Sequence, residues 1–217
     1  LAYFMPEIIG SISGAAMFAE LIPEPSVADA VGQYIKNLTQ FGFILVVFLG
    51  MAAVVNEKER GTAPMILSKP MPRWAFLLSK FTAQVLVYLA ALLIACLGGY
   101  YYTWYLFGSV SFGEFLLLNL LMFGWLLPFI ALTLLGSTLG NSTASAGGIG
   151  FGLCVLLMLA QYLPKVGQLA PGGLIAWAGQ LGTGAAITPN GGALLMSLVI
   201  TILAVILSLG IFEMQEL

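Results

Sequence analysis

Residues Asn56 to Lys80 read NEKERGTAPMILSKPMPRWAFLLSK, and this stretch decides how the rest of the chain is read. Five of the seven Lys and Arg residues lie in it (Lys58, Arg60, Lys69, Arg73 and Lys80), beside two acids, Glu57 and Glu59. A long apolar run leads into this charged island and another leads out. Loops kept on the cytoplasmic side of a membrane are the ones enriched in Lys and Arg. The stretch therefore predicts a cytoplasmic loop between two membrane-spanning helices, where a partner can dock.

Composition agrees. The 217-residue chain is 60% hydrophobic and 7% charged, with a mean hydropathy of +1.04. Soluble domains are about 25% charged, so there are too few charges here to cover a water-facing surface, and the expected partner is the lipid bilayer. The net charge of −2 and the absence of a basic stripe outside the island give no footing for nucleic acid. Cys96 and Cys154 both fall in apolar runs and read as small buried residues rather than a disulfide or a metal pair.

Working outward, an all-α polytopic transmembrane bundle with five spans is expected: 41–55 with a helical extension before it, 76–105, 115–139, 144–163 and 193–212. Residues 1–217 form a single transmembrane domain. Ile8 to Ile22 is interrupted by Gly and Ser and reads as an interfacial or re-entrant segment. Ser26 is placed to cap a helix, with Asp29 three residues on. Val27 to Gln40 carries Asp29, Gln33, Lys36 and Asn37 and reads as the solvated half of that helix. Tyr100, Tyr101, Tyr102, Trp104 and Tyr105 mark the opposite membrane interface. Residues 1–40, 106–114 and 164–192 then lie outside, while the island (56–75), the 140–143 turn and the C-terminus lie inside. Lys36 and Lys165 fall outside, which does not reverse the bias of five basic residues inside. The Gly- and Pro-rich 164–192 region is an outer loop with a short helix near Leu174 to Gln180. Leu1 to Met5 reads like the tail of an apolar segment that begins upstream.

Gly136, Gly140, Ala144, Gly148 and Gly152 recur every four positions across the 140–143 turn. That spacing predicts a face of small residues that lets helices pack closely in lipid.

The spans hold no Asp, Glu, Lys or Arg near their centres. Each such group costs roughly 2.5–3.5 kcal/mol on insertion scales, and ion-coupled carriers keep them nonetheless. Their absence disfavours an ion-coupled carrier. Histidine is absent and carboxylates do not cluster, so no metal site or Ser-His or Cys-His pair is expected. No G-x-x-x-x-G-K-[ST] phosphate loop occurs, and Gly147 to Gly152 lies in an apolar span with no following Lys. The chain is not expected to be an enzyme by itself, and no cofactor is expected on it.

The island has internal detail. Glu57 to Arg60 continues helically from the preceding span. Gly61-Thr62 breaks that helix, and Thr62 can cap a short new one, Ala63 to Ser68, with Pro64 in its first turn. Lys69-Pro70-Met71-Pro72 ends it, and Arg73-Trp74 opens the next span. A short surface helix clamped between two spans suits passing a push from a cytoplasmic partner into both.

The string EKERGTAPMILSKPMPRWAFLLSK closely resembles the signature of type-2 ABC transporter permeases, the membrane subunits of multidrug- and polysaccharide-type exporters. Glu57, Gly61, Thr62, Leu67, Pro70, Arg73 and Lys80 fall on its positions. The ending IFEMQEL is similar to the family's usual terminus, with Glu213-Met-Gln where basic residues are common. The resemblance implies six spans per subunit, the first lying before Leu1, and two permease copies, identical or paralogous. It further implies a dimeric cytoplasmic ATPase that holds ATP and Mg and grips the loop. It would make Ala63 to Ser68 the coupling helix and Glu57, Lys58, Glu59, Arg60, Gly61, Thr62, Leu67, Lys69, Pro70, Arg73 and Lys80 the coupling residues. The subgroup it looks most like includes permeases linked to copper-enzyme maturation. A multi-pass protein of a prokaryotic cell membrane, acting in export, is implied. An ATP-independent channel or carrier and a non-transporting scaffold or sensor are the alternatives.

Overall fold

The computed structural model describes residues 26–62, 72–108, 110–163, 166–183 and 186–215. Every regular element among them is an α-helix. Helix α1 spans Val27–Met51 and opens on a reciprocal cap: the Asp29 N–H donates to Ser26 Oγ at 3.3 Å, and the Asp29 carboxylate accepts the Ser26 N–H at 3.0 Å. This is the start the sequence predicts. Val31 and Ile35 in its first half are buried, while Gln33, Lys36 and Asn37 remain exposed.

Helix α1 does not run straight into the island. It stops at Met51, turns through residues 52–54, and restarts as α2, Val55–Glu59. The expected continuous helix is thus corrected, and a fully buried serine accounts for the break. Ser137 Oγ accepts the N–H groups of Val54 (2.9 Å) and Val55 (3.1 Å) and donates to the Met51 carbonyl at 2.9 Å. A side chain inserted into the i→i−4 ladder in this way is a recognised cause of a sharp bend.

Helix α3, Arg73–Phe107, has 35 residues. At 1.5 Å per residue it is roughly 50 Å long, well beyond the ~30 Å hydrocarbon layer, so it projects past the apolar zone. It ends at Gly108, whose φ of 82° is readily reached only without a Cβ. Helix α4, Phe112–Leu139, is the hub. It packs against α1 and α3 and against the three helices that follow. It is apolar all round, as a helix enclosed by others must be. Those three are α5 (Thr143–Ala160), α6 (Gly172–Thr183) and α7 (Gly191–Met214). Helices α1 with α2, α3, α4, α5 and α7 supply five candidate membrane spans. The protein is therefore a multi-pass membrane helix bundle.

Pro128 sits inside α4 and cannot donate to the Gly124 carbonyl. The buried Ser197 hydroxyl of α7 donates to that carbonyl instead. A freed backbone group is satisfied by a neighbouring helix, as the lipid environment requires.

The small-residue face differs from expectation. Gly136 and Gly140 do face α5, but their partners are Gly150 and Ala146. A Cβ on Gly136 would lie 2.5 Å from the Gly150 Cα, and one on Gly140 would lie 2.7 Å from the Ala146 Cα. Ala146, Gly150 and Cys154 form the buried stripe of α5. Ala144 is exposed, and a Cβ on Gly148 or Gly152 would meet nothing within 4 Å. The non-helical Gly140 to Ser142 turn resets the helical phase, so a four-residue spacing counted across it does not stay on one face.

Helix α6 is longer than the short piece expected near Leu174 to Gln180 and is docked in the bundle. Leu174, Ala178 and Leu181 are buried with Val31 and Ile35 of α1 and Met122 of α4. Polar contacts hold its surroundings: the Asn190 Nδ2 donates to the Gln168 carbonyl at 2.9 Å, and the Thr188 N–H to Gln180 Oε1 at 2.8 Å.

The candidate coupling site

The charged island lies at the end of the bundle where α1, α4 and α7 finish and α3 and α5 begin. Of the eleven expected coupling residues, Leu67, Lys69 and Pro70 lie outside the described residues, as does the expected helix Ala63 to Ser68. The other eight flank that gap. Glu57, Lys58 and Glu59 are on α2, and Arg60 caps its end. Gly61 follows with a φ of 65°, in the left-handed region that glycine reaches without strain. The Thr62 hydroxyl donates to the Glu57 carbonyl at 3.2 Å. Arg73 is the first residue of α3, and Lys80 lies two turns further on.

Most of these charges are engaged within the chain. Lys58 Nζ donates to the Thr138 carbonyl at 2.7 Å and the Gly140 carbonyl at 3.2 Å, at the end of α4. The Glu59 carboxylate accepts the Thr143 N–H at 3.1 Å and its hydroxyl at 2.6 Å, at the start of α5. Arg73 Nη1 donates to the carbonyls of Gln215 (2.7 Å), Glu213 (3.1 Å) and Phe212 (3.5 Å), at the end of α7. Lys80 pairs with the Glu57 carboxylate and so ties α2 to α3. In the Lys58, Arg73 and Glu59 contacts, cations meet helix C-termini and an anion meets a helix N-terminus, so these three agree in sign with the helix dipole. No described residue bonds the exposed Arg60 guanidinium.

A second set of groups completes this collar, and little in their sequence context singles them out. The Asn56 amide lies 3.0 Å from the Thr143 hydroxyl, whose proton goes to Glu59. Gln215 Nε2 donates to the Thr138 carbonyl at 2.9 Å, so one carbonyl serves both Lys58 and the chain's last turn. Gln215 stands in the segment where the expected terminus would carry basic residues, and its amide is a donor just as a basic group would be. Ser137 and Thr138 are two adjacent hydroxyls at the end of an apolar span, which was the available signal. Phe76 of α3 stacks on Phe212 of α7 at 5.5 Å, backing Arg73 with an apolar contact.

Only loop geometry and intramolecular contacts define this site. Among the described residues, nothing in it groups His, Cys or carboxylates for a metal.

A transmembrane protein of Bacillus subtilis, YxlG, is 27% identical to the chain over 161 residues, 73% of this chain. The chain covers 62% of the length of that relative. The model of the ABC-2 family transporter proteins matches residues 27–217, which includes all five spans and the whole charged collar, so the chain belongs to the ABC-2 family of transporter membrane proteins.

Proposed function

We propose that the chain is the membrane subunit of an ATP-driven exporter and that the 57–73 loop receives force from a separate cytoplasmic ATPase. The observation that carries this reading is the collar itself. One loop holds the ends of α3, α4, α5 and α7 through Lys80, Lys58, Glu59 and Arg73. Its anchors are two-sided, so displacement of the loop moves several spans together. The exposed Arg60 and the residues after it, through Leu67, Lys69 and Pro70, would present the docking surface. ATP and Mg would be held by the partner ATPase dimer, and a second permease copy would complete the translocation unit in a prokaryotic cell membrane.

This division of labour departs from a uniform set of ATPase contacts. Lys58, Glu59, Arg73 and Lys80 transmit, and Arg60 docks. Affinity capture of the protein from membranes in mild detergent recovers an ATPase subunit on this account. Arg60→Ala lowers that recovery, whereas Arg73→Gln leaves it intact and uncouples ATP turnover from the membrane subunit. Failure to recover any ATPase across detergents and nucleotide states contradicts the proposal. Solute flux through the purified chain in liposomes without ATPase would favour the channel reading instead.

A further inference from the structure

A groove of about 510 Å³ opens between the end of α1, α2 and the first turns of α3. Its volume lies within the roughly 300–1,000 Å³ of small-molecule sites. Leu49, Ala52, Ala53, Asn56 and Glu57 line it from the α1–α2 side, and Lys80, Ala83 and Gln84 from α3, so both sides mix apolar and polar groups. Arg60 and Thr62 stand at the same groove. It sits at the charged end of the bundle. Beside it, toward the apolar zone, Leu45, Phe48 and Leu49 of α1 and Leu86 and Val87 of α3 are all exposed. The arrangement offers a polar cradle with an apolar track leading from it.

We propose that this groove binds the headgroup of phosphatidylethanolamine from the adjoining leaflet. Three features select that head. Donors for a phosphate are present: Lys80 gives one N–H to Glu57 and has two left, and the Asn56 NH₂ keeps at least one N–H beyond its contact with the Thr143 hydroxyl. Acceptors without donors are also present: Glu57 Oε2 and Gln84 Oε1 are both withdrawn from water with no hydrogen-bond partner among the described residues. Such groups are costly unless a donor reaches them. The terminal torsions of Glu and Gln are broad, so a small rotation turns either oxygen into the groove. A primary ammonium carries three N–H donors and meets both. Finally, Glu57 offsets Lys80, so among the described residues Arg60 is the one charge at the groove left over for the phosphate, and the two unpartnered acceptors are left for the ammonium. The choline head fits the phosphate but has no N–H to give.

The inference rests on the chain spanning a bilayer and not on the ATPase partnership, so either can fail alone. Native mass spectrometry of the purified protein, titrated with lipids of identical acyl chains, tests it. The series runs from phosphatidylethanolamine through its mono- and dimethyl forms to phosphatidylcholine, with phosphatidylglycerol beside it. Retention should fall stepwise with methylation, by about tenfold overall, the equivalent of one charge-assisted hydrogen bond. Gln84→Leu should flatten the series and leave phosphatidylcholine retention unchanged. Equal retention across the series in the unaltered protein overturns the proposal without any variant. Tighter retention of phosphatidylglycerol, or a methylation preference that Gln84→Leu leaves undiminished, overturns it too.

Discussion

Ser137 does more than any other uncharged side chain at the loop. Its hydroxyl serves three backbone groups of the α1–α2 bend, and the two N–H groups among them, of Val54 and Val55, are buried. Ser137→Ala leaves two N–H groups and a carbonyl without partners. A loss of roughly 2–3 kcal/mol is expected, at the unsatisfied-group end of hydrogen-bond energetics. Equilibrium unfolding in mixed micelles would register it, and a loss within error would mean the bend is held by packing alone. Lys58 is more exposed, and two neutral carbonyls are its partners, so Lys58→Met should cost about 1–2 kcal/mol by the same measurement. Lys58→Arg should recover only part of that, because a planar fork replaces a point donor aimed at two carbonyls.

At the scale of elements, the α4–α5 contact is the one most sensitive to volume. Gly136→Val must push the two backbones apart, since even a Cβ would lie 2.5 Å from Gly150. Overpacking of this kind costs typically 1–3 kcal/mol. Gly148→Val on the open face should leave stability unchanged, and thermal denaturation of the two variants side by side separates the contact face from the open one. An equal loss from both would return the packing stripe to the face counted from sequence. The helices themselves were legible because a chain this apolar, with its charges gathered in one island, admits few other arrangements. The capped start at Ser26 and the aromatic end at Tyr100 to Tyr105 followed from local chemistry alone. The α1–α2 bend was not legible, since its cause, Ser137, lies more than eighty residues away in sequence. The packing face of α5 was missed for a similar reason: the turn at Gly140 to Ser142 breaks the periodicity from which it was counted. Helix α6 reads as a polar loop because Gly and Pro flank it, and only tertiary contact with α1 and α4 shows its buried side.

At the scale of the molecule, the island was legible as a charged loop between spans, but not how its charges are engaged. The family resemblance implied eleven coupling residues facing a partner. The fold turns Lys58, Glu59, Arg73 and the Glu57–Lys80 pair inward onto helix ends, and leaves Arg60 outward. A sequence shows which side chains are charged, and only the fold shows which helix end each one reaches. The proposed topology can be probed directly. Cys96 and Cys154 are both buried, so a cysteine introduced at the surface reports against a quiet background. Tyr162→Cys, at the far end of α5, should react with a membrane-impermeant maleimide from the outer face only.

The account as a whole stands on the loop being the seat of a cytoplasmic motor. Its most direct measurement is maleimide labelling of Arg60→Cys in sealed vesicles of known orientation, with and without the assembled ATPase. The prediction is reaction from the inner face alone, and protection from reaction once the ATPase is bound. Labelling from the outer face, or an inner-face rate that the bound ATPase leaves unchanged, would contradict it.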